Sequence, residues 1–93
     1  LVVARQWPGG HLVDPANGGI QFITPTGATA FNVAQITNGK AVTLMVSNTG
    51  GHAVSFTSVT WVGGTPTIGT ANWSVVELWN VGGTVFGAYV GST

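Results

Sequence analysis

Fifteen glycines are scattered through a chain of 93 residues, and they limit what it can fold into more than any other feature. Glycine weakens helices and serves turns. Val and Thr dominate the remainder, and both favour strands. Helix signals are nearly absent. The expected fold is therefore all-β: a small antiparallel β-sandwich, jelly-roll-like, with about seven or eight short strands. It forms one domain over residues 1–93, with residues 1–16 an incoming linker or a first strand.

The order along the chain fills in this outline. Asp14 before Pro15 is expected to be extended, and Asn17-Gly18-Gly19 reads as a tight turn. Residues 19–24 form a strand, with Ile20 and Phe22 on one face and Gln21 and Ile23 on the other. Residues 28–37 form another, with the parity left open. Asn38-Gly39 between two β runs predicts a hairpin. Val42, Leu44 and Val46 share a face and belong to the core, while Thr43, Met45 and Ser47 face away. Residues 48–52 read as a hairpin loop. Val54 and Phe56 then face in. Residues 61–66 make a bend, and residues 67–70 a short edge strand at most. Residues 72–80 and 84–90 pair through a Gly82-Gly83 turn.

That last pair is apolar on both faces. Ser74, Val76 and Leu78 lie on one side of its first strand, and Trp73, Val75, Glu77 and Trp79 on the other. A two-layer sandwich should leave each sheet one wet face, and this one is not polar enough to be wet. The expectation is a subunit interface at Trp73, Val75, Glu77 and Trp79. Small size and the lack of cysteine point the same way, because oligomerisation is the remaining reinforcement for a chain without disulfides.

Charge narrows the function. Only 4% of residues are charged, with net charge zero. Two cations cannot form the basic patch that nucleic acid requires, so no nucleic acid partner is expected. No apolar run approaches the ~18 residues of a membrane helix, and no membrane insertion is expected. The start of the chain, without Met or a signal pattern, reads as a cut in something longer.

Reactive chemistry finds little support. His11 and His52 lie beside glycines in loops, and Asp14 and Glu77 are the only carboxylates available to orient them or to form a pair. No catalytic residue, cofactor or metal is expected, although one histidine per subunit on a symmetry axis would be the remaining route to a metal. Gly9-Gly10, Gly50-Gly51, Gly63-Gly64 and Gly82-Gly83 open no helix and precede no Lys-Ser/Thr, so they are turn glycines and not phosphate loops. Glu77, between Val75 and Trp79, would be costly to bury alone. It is expected to be exposed or to pair with Arg5 or Lys40 of the same or a neighbouring chain. Trp7, Trp61, Trp73 and Trp79 could stack on sugars, but core or interface packing is the favoured reading for Trp61 and Trp79.

The stretch Trp61-Val62-Gly63-Gly64-Thr65-Pro66-Thr67-Ile68 fits W-x-G-G-x-x-P-x-[LI]. An alternating strand, a Gly turn and an aromatic-Gly strand follow it, and Asn38-Gly39-Lys40 with residues 42–47 precedes it. Over residues 17–91 this arrangement resembles the terminal domains of bacteriophage tail fibres and tail spikes. Ser74 stands where that family often has an aspartate, so a polar network built on that aspartate does not carry over. The resemblance implies a trimeric β knob on the virion, without catalytic activity. It also implies contact with a host cell-surface glycan or an outer membrane protein. The expected receptor contacts are Asn48, Thr49, His52, Trp61, Thr65 and Asn80, in loops 48–52, 61–66 and 80–83. The alternatives are a purely structural trimerisation or capsid decoration domain, and a carbohydrate-binding module with a row of exposed tryptophans.

Overall fold

In a computed structural model the chain winds back and forth between two β-sheets. The structure describes the backbone of residues 2–3, 5–7 and 10–93, and the side chains from Leu12 onward. Ten strands are described: β1 (Val2–Val3), β2 (Arg5–Trp7), β3 (Gly10–Leu12), β4 (Ile20–Ile23), β5 (Thr29–Asn32), β6 (Ala41–Val46), β7 (Val54–Thr57), β8 (Thr60–Trp61), β9 (Ser74–Val81) and β10 (Thr84–Ser92). One sheet runs β1-β4-β6-β9-β10-β8 and the other β2-β3-β5-β7.

The all-β, two-sheet architecture is as expected, but the pairing is mixed. From β3 to β7 the chain alternates sheets at every strand, so β4 pairs with β6, and β5 with β3 and β7, all in parallel. Only β2/β3, β6/β9 and β9/β10 are antiparallel among the described strands. Consequently residues 38–39 and 48–52 do not close hairpins. They are corners at which the chain crosses from one sheet to the other. Turn chemistry at Asn38-Gly39 was legible, and Gly39 does take a positive φ of 81°. Its strands, however, find partners elsewhere. No strand forms over residues 67–70, where Pro66 and the positive φ of Gly63 and Gly64 break the extended chain.

Side-chain period explains the core. Val42, Leu44 and Val46 of β6 lie opposite Leu78, Val76 and Ser74 of β9, and all six are buried. Gln21 and Ile23 of β4 continue this inner face. Across from it, Phe31 of β5 and Phe56 of β7 are neighbours in register, and their rings stack at 5.0 Å. Val13, Val33 and Ile36 fill the space at the corners.

Local rules hold at three points. Asp14 is extended and its Oδ1 accepts from Ala16 N at 2.9 Å, which caps a 3-10 turn at Pro15–Asn17. This turn takes the place of the Asn17-Gly18-Gly19 turn expected from sequence. The β9–β10 loop consists of Gly82 (φ 64°) and Gly83 (φ 89°), as a two-residue turn with both central φ values positive requires. In β10 the register slips between Tyr89 and Gly91, an extra residue that bends the strand end.

Candidate functional site

Strand β9 shows the alternation that organises the site. Ser74, Val76, Leu78 and Asn80 are buried, whereas Val75, Glu77 and Trp79 are half-buried on the opposite, outward face. Register adds neighbours from three further strands. Ala41, Thr43 and Met45 of β6 lie opposite Trp79, Glu77 and Val75. On the other side Phe86 and Ala88 of β10 lie opposite Trp79 and Glu77. Phe22 of β4 lies beyond Met45, and Ile20 beyond Thr43.

The outward face of the six-stranded sheet is therefore apolar across four adjacent strands. Trp79 and Phe86 stack with ring centres 6.2 Å apart, and Trp73 meets Phe22 edge-on at 6.2 Å. Ile20 is 51% exposed on it. Glu77 sits in the middle, where its Oε2 accepts a hydrogen bond from Thr43 Oγ1 at 2.7 Å. That is the partner the structure gives it. Pairing with Lys40 of the same chain is not made, and pairing with Arg5 lies outside the described side chains.

The four residues expected at an interface are thus brought together. Sequence reasoning missed the contribution of Phe22, Thr43, Met45, Phe86 and Ala88 to the same surface. The outward parity of Thr43 and Met45 was legible, but the order of strands in the sheet was not.

The expected receptor contacts behave differently. Asn48 is buried, and both ends of its amide close its own loop: Nδ2 donates to His52 O at 2.8 Å and Oδ1 accepts from His52 N at 3.0 Å. Asn80 is buried too. Its Nδ2 donates to Ile36 O at 2.8 Å, and its Oδ1 accepts from Gly83 N at 3.0 Å. Each of these two amides uses one donor and one acceptor to hold the backbone of its own chain, which shapes the loops. Trp61 packs inward, edge-on to Phe56 at 5.2 Å, in agreement with its packing role. Thr49 and Thr65 are exposed and His52 is half-buried. Residues 48–52 sit near Thr70, at the end of β6 where Val46 pairs with Ser74, and residues 80–83 lie at the opposite end. The loops therefore do not form one surface.

Among the described residues, no three His, Asp or Glu side chains come together as a metal site, and no helix is long and apolar enough to cross a membrane. Trp7 and His11 have side chains outside the described set. The fold and surface define a class, an all-β two-sheet module with one apolar sheet face uncovered. No family model, characterised protein or solved structure matches the chain.

Proposed function

We propose that this domain is a trimeric knob of a virion tail fibre or spike, and that it takes part in attachment to a host surface. The observation that carries this reading is the apolar outward face of the six-stranded sheet. An exposed contiguous patch of this kind marks an interaction surface, and a chain with 4% charged residues has little else to keep such a patch soluble. Association of copies through Val75, Trp79, Phe86 and Met45 removes the patch from water. It also reinforces a domain too small for a large core of its own. Three copies then present their loops together, and weak individual contacts gain by avidity.

One observation favours the second reading, a purely structural trimerisation or decoration domain. Asn48 and Asn80, two of the expected receptor contacts, are buried and hydrogen-bonded within the chain. A free carbohydrate-binding module is supported less, since Trp61 does not join Trp73 and Trp79 in an exposed row. The experiment is binding of the recombinant domain to host cells and glycan arrays. Saturable binding supports the attachment knob. A stable trimer that binds neither supports the structural domain.

A further inference from the structure

At the end of the sandwich where the β9–β10 turn lies, the two sheets part around a cleft of about 660 Å³. One wall is the corner at residues 32–38, a second is the β9–β10 turn, and a third is Thr57 and Ser58 at the end of β7. A cleft of this size suits a small-molecule ligand or a few residues of a polymer.

The lining has a definite chemistry. Among the described residues, no charged side chain belongs to it. Its apolar floor is Val33, Ile36 and Val85, all buried. Above the floor stand amides and hydroxyls with capacity to spare. Asn32 Oδ1 accepts from Ala34 N, and Asn38 Oδ1 accepts from Gly82 N, both at 2.9 Å. These bonds fix each amide and leave its Nδ2 free to donate. The hydroxyls of Thr37, Ser58 and Thr84 have no partner among the described residues.

The walls are also held rigid. Asn80 bonds the corner at Ile36 and the turn at Gly83 together, and Gly39 N donates to Asn80 O at 3.0 Å. Ser58 has a φ of 60°, the only positive φ outside glycine among the described residues. A non-glycine residue in this region is strained, and such strain gathers at ligand clamps.

A charged ligand would lose hydration here without a counter-charge among the described residues. An extended peptide would seek a strand edge, yet two of the three walls are turns that offer side-chain amides and hydroxyls. What fits is an uncharged, hydroxyl-rich molecule with an apolar flank. We infer that this cleft binds an uncharged saccharide, held by the amides of Asn32 and Asn38 and the hydroxyls of Thr37, Ser58 and Thr84 over the Val33–Ile36–Val85 floor. The inference deepens the attachment reading and rests on it for the source of the saccharide.

The test is titration of the isotope-labelled domain with neutral di- and trisaccharides of glucose, galactose and N-acetylglucosamine, followed by NMR. Sialyllactose and a capped Ala-Thr peptide are the charged and peptide comparisons. The expected result is saturable shifts of the Asn32 and Asn38 side-chain amides with at least one neutral saccharide at millimolar concentration. The double variant Asn32→Asp/Asn38→Asp keeps both acceptors and removes both donors. It should weaken binding about tenfold or more at an unchanged melting temperature. Thr84→Val, at an exposed position, should weaken it separately.

Three results would each overturn the inference: no such shifts with any neutral saccharide, larger shifts with sialyllactose or the peptide, or full affinity in all the variants. If the wild type attaches to cells and the double variant attaches equally well, the cleft assignment fails and attachment stands. If the saccharide fills the cleft but no cell surface is bound, the attachment reading fails and the cleft assignment stands.

Discussion

Gly87 marks a close approach of backbone to core side chains. A Cβ there would lie 2.7 Å from Trp61 Cζ3 and 2.8 Å from Val59 Cγ1. The β8–β10 register places Trp61 directly beside it, and both neighbours are half-buried against the core, with little room to retreat. Gly87→Ala should therefore destabilise the fold by about 1–3 kcal/mol through overpacking, read as a lowered midpoint in urea unfolding. Asn48 is the polar counterpart. Asn48→Ala removes two bonds and leaves His52 N and O to find others, at a cost of about 1–3 kcal/mol. Hydrogen exchange at the His52 amide should quicken more than exchange in β6. Trp61 was legible in the sequence as a packing residue. Gly87 was not, because the indole that needs its missing side chain lies far away along the chain. The same limit applies to Asn48 and Asn80. Their type predicts loops, but whether an amide faces a partner or its own backbone depends on how the loop closes.

At the scale of elements, β9 and β10 carry the account. Their two-sided apolarity was legible, and so was the face on which Val75, Glu77 and Trp79 would lie, since a strand alternates with period two. The two-glycine turn between them was also legible, because its φ values demand that residue type. What failed was pairing at Asn38-Gly39. Asn38 and Gly39 bond to the β9–β10 hairpin, through Gly82 N and Asn80 O, instead of closing a hairpin between β5 and β6. A turn motif reports only the local backbone, and the sheet that takes up its flanking strands is decided by burial elsewhere. The prediction that belongs to this scale concerns the outward face. Val75 is half-buried on it, so Val75→Lys leaves the single chain foldable, with the lysine stem lying along the sheet. In an assembly the same lysine would be a buried charge, and pairing with Glu77 two residues along would not spare it the cost of leaving water. Association should weaken at least ~100-fold, seen as loss of the larger species in sedimentation, with an unchanged far-ultraviolet CD spectrum.

For the whole molecule, the winding between two sheets has a physical cause. Strands β3 to β7 are short. Crossing to the other sheet after each strand lets each turn one face toward the opposite layer, with Gln21 and Ile23 of β4, Phe31 of β5 and Leu44 of β6 buried there. Parallel pairing then follows without helices, because the intervening strand in the other sheet makes the return. The sequence specified strands, inner faces and turns, but nothing in it distinguishes this winding from an antiparallel meander, since each local signal is the same in both. The outcome is a sandwich whose interior is closed while one outer face stays open, with Glu77 as its single charged group among the described residues. In the proposed reading, association of copies covers that face and the cleft at one end serves attachment.

The most direct test is the molar mass of the domain by sedimentation equilibrium at micromolar concentration. The account predicts three copies of the 9.4 kDa chain, with the indoles of Trp73 and Trp79 protected from aqueous quencher. A stable single copy under those conditions, with both indoles quenched, would contradict it.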